Sequence, residues 1–457
     1  MDTLFDMLRM KNIITHKGVK ASTVESLPLS QILDTASEIV NATRLNIVNP
    51  NRTIFSYSAS YSVGGGREAC ASLNHRITRL DELARFALMY SDQVYINNFF
   101  SEYSHYENAD IDFLRRYFFE DVYLLTCLEP LLQVGLLSFF SPPVGCIHQW
   151  TKRILNDEAE KKLNREERRL KKEYLTKTSI TLRQKDDKYK LDCNAPEPYI
   201  EHGTKVFTYL PNTLPKPLLD MPRIINRVRK GESVPLSESV RRKLGFHEEN
   251  AFDVIENVSY EVTTSQLLNT SFLTSNELHI SCLKSITGDP DIEERNAIAQ
   301  KHLTSIIPFI NDVEINDLIK LRNREAESFN QYRRALNEAI DEFRANTTDF
   351  KEKDARALYS DVIAPRLSAL DRNVKNAKKD LIRKASKSVI AVTSAISFGI
   401  YTGLIPTEIA ELAKVVGLTK IVADIVEKAL PLGEAVSTIK NDDLYFLWKV
   451  KKKADQS

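Results

Sequence analysis

Residues 54–66 read IFSYSASYSVGGG, and their pattern is the clearest structural signal in the chain. Aromatic or aliphatic residues hold every second position from Phe55 to Val63, and serine holds the positions between them. Because successive side chains of a strand point to opposite faces of a sheet, this period of two predicts a half-buried β-strand. The glycines that follow, Gly64 to Gly66, predict the end of the strand and a tight turn.

Strand and helix patterns alternate after this turn. Apolar residues spaced by three and four predict helices over 73–90 and 111–125, and short apolar runs at 94–96 and 136–140 predict two more strands. Such alternation favours parallel strands, since each helix carries the chain back across the sheet. Residues 1–150 are therefore predicted to form a small α/β domain of about three strands.

Residues 151–235 are predicted to connect two domains. A charged run at 151–176 mixes lysine and arginine with glutamate, which is typical of a solvated helix held by ion pairs three or four residues apart. Apolar residues on both sides of the turn KDDK, at 185–188, predict a β-hairpin. Seven prolines within 196–235 predict an extended connection.

The remaining residues, 236–457, are predicted to form a helical domain. Apolar residues recur at heptad-like spacings over 329–343 and over 363–381, on either side of the polar break ANTTD. Two such helices joined by a short turn predict a long antiparallel hairpin, over about 314–388. Pro365 lies inside the second seam, where we expect the helix to begin or to kink. The predicted fold class is therefore α+β, mainly helical.

Composition limits the functional classes. A chain of 457 residues exceeds a single hydrophobic core, so we expect two or three domains. Lysine and arginine number 63 against 62 aspartate and glutamate residues, so no overall field draws the chain to nucleic acid or anionic lipid. Five widely spaced cysteines without CxxC are typical of reduced thiols, and the N-terminus lacks the apolar run of a secretion signal. These features predict a cytoplasmic protein.

The triple glycine has two interpretations. Backbone N–H groups of a glycine-rich turn at a helix N-terminus can cradle a phosphate. However, VGGGREACAS lacks the lysine and hydroxyl of the P-loop signature and does not match GxGxxG, so a structural tight turn is favoured. Arg67, directly after the glycines, is the side chain that phosphate binding would use.

Metal and cofactor signatures are missing from the sequence. Two cysteine–histidine pairs, Cys146 with His148 and His279 with Cys282, each supply too few ligands for zinc, and we expect all four residues to pack. HExxH, GxSxG and EF-hand patterns do not occur. No metal, cofactor or small-molecule ligand is predicted.

The run RNAIAQKH is the most suggestive catalytic pattern. Arg295 and His302 are seven positions apart, which places both on one face of a helix, and Asn296 follows the arginine. Over these eight residues the chain resembles the R-x(4–6)-H signature of metal-independent HEPN ribonucleases. The resemblance implies cleavage through the RNA 2′-OH, with His302 as acid or base and Arg295 stabilising the phosphorane.

Chance also accounts for such a spacing. Arg242 and His247 have such a spacing as well.

Basic clusters at 223–230, 241–243 and 333–334 each lie near acidic residues, so solvated faces are favoured over binding to RNA or to an acidic partner.

Residues 388–407 form a run of 20 uncharged residues. This length spans a bilayer core of about 30 Å, and Gly399 with Gly403 forms a GxxxG pair. Six serine or threonine residues and Pro406 oppose insertion, so a buried soluble helix is favoured over membrane association.

Three functional hypotheses follow. The first is a non-catalytic intracellular interaction protein, a scaffold or sensor that binds a protein partner or its own copies, because the heptad seams are specific while no catalytic motif is. This hypothesis includes a role in a bacterial stress or defence system, which is not based on any particular residue. The second is a membrane-acting effector that uses 388–407. The third is a ribonuclease that uses Arg295, Asn296 and His302, the one enzymatic activity considered.

Overall fold

The computed structural model describes residues 2–43, 55–60, 63–67, 72–107, 109–140, 157–200, 203–211, 213–268, 270–274, 276–287, 308–345, 360, 364–385 and 442–455. The chain divides into two compact units, 1–301 and 302–457. The fold is α+β and mainly helical, which confirms the predicted class. The predicted domain boundaries after residues 150 and 235 both fall inside the first unit and stay predictions.

The helices described in the first unit are α1 (Asp2–Met10), α2 (Ala21–Ser26), α3 (Leu29–Ala42), α4 (Leu73–Tyr90), α5 (Ile111–Gln133), α6 (Asp157–Lys177), α7 (Lys216–Leu219), α8 (Pro222–Arg229), α9 (Glu238–Leu244), α10 (Phe246–Leu268) and α11 (Glu277–Thr287). Its strands are β1 (Ile14–Thr15), β2 (Gly18–Val19), β3 (Ser56–Ala59), β4 (Gln93–Asn97), β5 (Leu137–Phe140), β6 (Ser179–Lys185), β7 (Lys188–Asn194), β8 (Thr204–Tyr209), β9 (Val234–Pro235) and β10 (Ser271–Leu273). A 3₁₀ helix, Phe99–His105, follows β4.

A parallel sheet with the strand order β10–β3–β4–β5 lies at the centre of the first unit. The helix α4 connects β3 to β4, and α5 lies between β4 and β5, as the alternating pattern predicts. The sheet gains a fourth strand because β10, from a distant part of the chain, pairs with β3. The strand order therefore reverses direction at β3, which makes the crevice beside this strand a topological switch point.

The strand β3 is buried on both faces, so the prediction of a half-buried strand is wrong. Tyr57 packs on Phe86 of α4, with ring centroids 5.2 Å apart. Ser58 points to the opposite face, where its hydroxyl oxygen lies 2.6 Å from that of Ser265 in α10. A second helix thus covers the serine face, and the shared hydrogen bond offsets the cost of burying the hydroxyl groups.

The predicted β-hairpin is confirmed. Strands β6 and β7 pair antiparallel up to Lys185 and Lys188, within a sheet of order β8–β7–β6–β9. The two residues of the turn, Asp186 and Asp187, have φ values of 53° and 57°. These positive angles are those of a two-residue type I′ turn, whose twist matches the flanking strands.

The proline-rich stretch 196–235 is more regular than expected. It contains β8, β9 and the short helices α7 and α8. Pro217 and Pro222 lie in the first turns of α7 and α8, where the missing N–H costs no hydrogen bond. The expectation of an extended connection is wrong because these prolines begin helices.

The charged run forms the helix α6, which confirms the predicted helix. Its apolar residues, Leu163, Leu170 and Tyr174, are buried in a core shared with α10 and α11. The helix therefore has one buried stripe and is not solvated all round.

The second unit contains, among its described residues, α12 (Ile315–Arg324), α13 (Ala326–Ala345), α14 (Ala364–Ala385) and α15 (Tyr445–Ala454). The two long helices predicted from the heptad pattern are α13 and α14, and α14 has Pro365 in its first turn. No helix in the described parts of the chain is long and apolar enough to cross a membrane.

Two seam residues of α13 pack on α15. Phe329 and Tyr332 of α13 lie against Phe446, with ring centroids 5.2 Å and 5.6 Å apart. Every residue from Tyr445 to Val450 is buried, and such a run covers all sides of a helix. The neighbouring helices of the unit thus enclose α15, and Phe329 and Tyr332 are covered within the chain.

Candidate functional site

Glycine is required at two positions of the turn after β3. A Cβ atom on Gly64 would lie 3.2 Å from the carbonyl oxygen of Ser60 and 3.3 Å from Cβ of Ile96 in β4. Gly65 has a φ of +80°, and a Cβ atom there would lie 2.8 Å from Leu80 in α4. Close packing at the carboxyl ends of β3 and β4 therefore explains these glycines and supports the tight-turn interpretation.

Two arginines of α4 hold this turn by its carbonyl groups. Arg76 Nε donates to the carbonyl oxygen of Gly65 at 2.7 Å, and Arg79 Nη2 donates to that of Gly66 at 3.4 Å. A turn that cradles phosphate would instead direct N–H groups at the anion. Positive charge at this turn is therefore supplied by side chains.

Arg67 and Arg76 converge on the carboxylate of Asp121 in α5. Arg67 Nη2 lies 2.6 Å from Oδ2 of Asp121, and Arg76 Nη2 lies 2.6 Å from Oδ1. Tyr103, in the 3₁₀ helix, donates its hydroxyl to the same Oδ2 at 2.7 Å. We call Arg67, Arg76, Asp121, Tyr103 and Glu120 the arginine cluster.

The cluster joins the two helices to the ends of the strands. The side chains of Arg76 and Asp121 are fully buried, and that of Arg67 is 8% exposed. Arg67 also lies over the ring of Tyr117, with its Cζ 3.9 Å from the ring centroid, and donates to the Tyr117 carbonyl oxygen at 2.9 Å. Arg67 is thus held in one place while part of its side chain still reaches solvent.

Several donors of the cluster have no acceptor. Among the described residues, Arg67 Nε, Arg67 Nη1 and Arg76 Nη1 are buried without a hydrogen bond. Glu120 Oε2, which also lacks a hydrogen bond, lies 3.8 Å from Arg76 Nη1, beyond hydrogen-bond distance. A buried donor without an acceptor costs about 1–3 kcal/mol. An anion beside Arg67 and Arg76 would supply the missing acceptors.

The surroundings favour the charged form of Arg67 and the neutral form of two carboxyl groups. Burial acts to lower the pKa of Arg67, but the carboxylate of Asp121 outweighs it and the pKa is raised. Burial raises the pKa of Glu120, a member of the cluster, and of Glu102, which lies near it. The guanidinium group of Arg67 therefore stays charged, whereas these two carboxyl groups protonate more readily than exposed ones.

A second polar group lies at the carboxyl end of β10. His279 Nδ1 lies 3.3 Å from Glu261 Oε2 and 3.4 Å from Thr274 Oγ1. The backbone N–H of Ser60 donates to the carbonyl oxygen of Leu273 at 2.9 Å, which joins this group to the end of β3. The carboxyl edge of the sheet thus carries a guanidinium cluster and a buried imidazole.

The described cysteines are free, and no group of three or more histidine, cysteine, aspartate or glutamate residues in the described parts of the chain is placed to hold a metal ion. Burial raises the pKa of Cys282 to about 12, which disfavours the thiolate that zinc requires. His279 is buried, with Nδ1 in hydrogen-bond contact with Thr274 and 3.3 Å from Glu261 Oε2, as in a packed histidine. Cys146 and His148 lie outside the described residues.

The predicted catalytic residues Arg295, Asn296 and His302 lie outside the described residues, as does the uncharged run 388–407. Both predictions therefore remain untested.

The second match to the R-x(4–6)-H signature, Arg242 with His247, does not lie on one helix. Gly245, with a φ of 70°, ends α9, so Arg242 and His247 belong to different helices. Arg242 instead pairs with Glu238 at 2.7 Å.

The basic clusters make local contacts. Arg227 pairs with Glu232 at 2.8 Å. Arg241 donates to the carbonyl oxygens of Leu175 and Thr178, at the end of α6. The exposed pair of Arg227 agrees with the predicted solvated face, whereas Arg333 is only 6% exposed, so that interpretation is wrong for Arg333.

Sequence analysis singled out Arg67 but missed Arg76 and Asp121. Asp121 occupies a core position of α5, in step with the buried residues Phe118 and Leu125. Aspartate at such a position is rare without a partner, so this break in the apolar stripe was the available signal.

Comparison with family models, curated proteins and solved structures finds no match to this chain.

Proposed function

We propose that this protein is a sensor that binds a small anion, a phosphate or a carboxylate, at the arginine cluster. The observation that carries the proposal is the set of buried guanidinium nitrogens, two on Arg67 and one on Arg76, that have no acceptor among the described residues. Guanidinium groups are the side chains best suited to oxyanions, because they remain charged and offer several directed donors.

The position of the cluster supports the proposal. Open α/β sheets bind ligands outside the carboxyl ends of their strands, at a topological switch point. Arg67 follows β3, which borders the switch point between β10 and β3, and Tyr103 follows β4 on the other side of β3. Arg67 is also the cluster arginine that reaches solvent, so an entering anion would meet it first.

Anion binding gives a different basis for an interaction protein from the heptad seams. The hypothesis of an interaction protein rested on the heptad seams, and two seam residues, Phe329 and Tyr332, pack on Phe446 of α15 within the chain. Binding to a protein partner or to a second copy stays a proposal, in which the ligand sets the state that the partner recognises. The ribonuclease and membrane hypotheses also stay proposals. Recovery of the wild type from cytosol without detergent would count against the membrane hypothesis.

Thermal shift and calorimetry on the full chain test anion binding. The probes are inorganic phosphate, a nucleoside monophosphate and succinate, which separate the phosphate class from the carboxylate class. A ligand at about 100 times its Kd should stabilise the first unit by about 2.7 kcal/mol. Arg67→Gln should abolish the shift, Arg67→Lys should retain part of it, and Arg223→Gln, an exposed arginine of the same unit, should leave it unchanged.

Two results would refute the proposal. One is that none of the three probes stabilises or binds the wild type. The other is that Arg67→Gln, shown to be folded by circular dichroism, responds to the probes as the wild type does.

A further inference from the structure

The helix α6 presents a row of positive charge on the face opposite its buried stripe. Four exposed basic residues follow one another at spacings of four, three and four: Lys161, Arg165, Arg168 and Lys172. At 100° per residue they fall within an arc of about 60°, and the row is roughly 16 Å long. We call these four residues the cationic row.

Four of the five glutamates of α6 pair with cations that lie outside the row. Glu158 pairs with Lys162 at 3.6 Å, and Glu167 pairs with Lys171 at 2.8 Å. Arg169 pairs with Glu166 at 2.7 Å and with Glu173 at 2.9 Å. The other cations of the helix thus pair with these four glutamates, and the fifth, Glu160, is exposed beside Lys161.

The row itself is not neutralised. None of its four side chains forms an ion pair with another described residue. Arg168 Nε donates only to the carbonyl oxygen of Asn164, one turn earlier in the same helix. Like charges three or four residues apart destabilise a helix by about 0.2–0.5 kcal/mol per pair. A polyanion laid along the row would remove this repulsion.

We propose that the cationic row binds the phosphate backbone of nucleic acid. A narrow, straight row of one sign matches a linear polymer with regularly spaced charges. A membrane surface is a poorer match, because interfacial helices insert an apolar face and the apolar stripe of α6 is committed to the core with α10 and α11. The site is separate from the arginine cluster and does not depend on it.

The contact is expected to be independent of base sequence and sensitive to salt. The net charge of the chain is only +1, so attraction comes from the local row and not from the whole protein. Four phosphate contacts contribute about −2.8 to the slope of log K against log salt for a single strand, and about −3.6 for a duplex.

Fluorescence anisotropy with labelled single-stranded RNA, single-stranded DNA and duplex DNA tests the row. The full chain is compared with a variant in which all four row residues are changed to glutamine, a good helix former. The matched control changes four other exposed basic residues of the same unit to glutamine: Lys185, Lys216, Arg223 and Lys230. Both variants remove the same charge.

At about 50 mM salt the wild type should bind at least one of the three nucleic acids. The row variant should lose at least about tenfold in affinity, and its salt slope should fall by about three, while the control stays near wild type. Equal losses in both variants would overturn the proposal, as would the absence of binding to all three probes. Row-dependent binding to phosphatidylserine vesicles without binding to nucleic acid would also overturn it.

Discussion

Arg76 and Asp121 form an ion pair in which Nη2 lies 2.6 Å from Oδ1 and both side chains are fully buried. The pair links α4 to α5, and through Arg76 Nε it also holds the carbonyl group of Gly65. A buried charge that loses its partner is strongly destabilising, so this pair is a structural requirement of the site.

Asp121→Ala should therefore destabilise the first unit by about 3–5 kcal/mol, because two buried guanidinium groups lose their common acceptor. Urea unfolding followed by circular dichroism measures the loss. Asp112→Ala is the matched control on the same helix. Asp112 pairs with Arg115 at 3.2 Å but is 85% exposed, so its loss should cost less than about 1 kcal/mol. Similar losses in the two variants would contradict the central role of Asp121.

The carboxyl groups near the cluster predict a pH dependence with a definite sign. Burial raises the pKa of Glu102, so its folded state binds a proton more readily than its unfolded state. Its contribution to stability is present at acid pH and is lost as pH rises through the raised pKa. Glu102→Gln should therefore raise the melting temperature at neutral pH, and the difference should vanish as the pH falls below about 4.

Glu173 supplies a control of opposite sign. Burial acts to raise its pKa, but hydrogen bonds from Tyr199 and Arg169 outweigh it and the pKa is lowered. Its contribution is present at neutral pH and lost in acid, so Glu173→Gln should lower the melting temperature at neutral pH only. Melting temperatures of Glu102→Gln and Glu173→Gln, measured from below about pH 4 to neutral pH, test both predictions. Shifts of the same sign at neutral pH would contradict the opposite pKa shifts of the two glutamates.

The seam of α14 predicts a large effect from one buried leucine. Leu370 is 2% exposed, so Leu370→Asp places a carboxylate without a partner in the core of the second unit. We expect a loss of about 3–5 kcal/mol or failure to fold. Ser368→Asp, at an exposed position of the same helix, should change stability little. An unchanged melting temperature and unchanged mass in solution for Leu370→Asp would show that the seam is not a core.

The ribonuclease hypothesis is tested with single-stranded RNA in the presence of EDTA. We expect no cleavage by the purified wild type, and we expect His302→Ala to change stability at most. If the wild type cuts RNA and His302→Ala abolishes cutting with an unchanged circular dichroism spectrum, Arg295 and His302 are catalytic and the sensor is also an enzyme.

Local pattern predicted much of the first unit. The alternation over 55–63, the glycine turn and the KDDK hairpin each follow from period and turn chemistry within a dozen residues, and β3, α4, β6 and β7 lie where these signals place them. Such signals depend on backbone geometry alone, so they can be recognised before any tertiary contact is known.

Features that depend on distant pairing were not predictable. The strand β10 has three residues, too few for a period, and its place beside β3 is set by the register of Phe272 with Ser58. Arg76 and Asp121 are 45 residues apart and meet only because α4 and α5 pack together. In α15 the run Tyr445 to Val450 is buried on all sides and holds only one polar residue, Lys449, so it shows no helical period of apolar and polar residues.

The central place of α15 also bears on the order of events during synthesis. Phe329 and Tyr332 of α13 are covered by Phe446, yet a hundred residues separate Ala345, the end of α13, from Tyr445, the start of α15. At about 5–20 residues per second, the ribosome needs roughly 5–20 s to add that interval. During this time the aromatic surface of α13 lacks the helix that covers it in the folded unit, so nascent chains of this length are expected to be the ones that recruit chaperones.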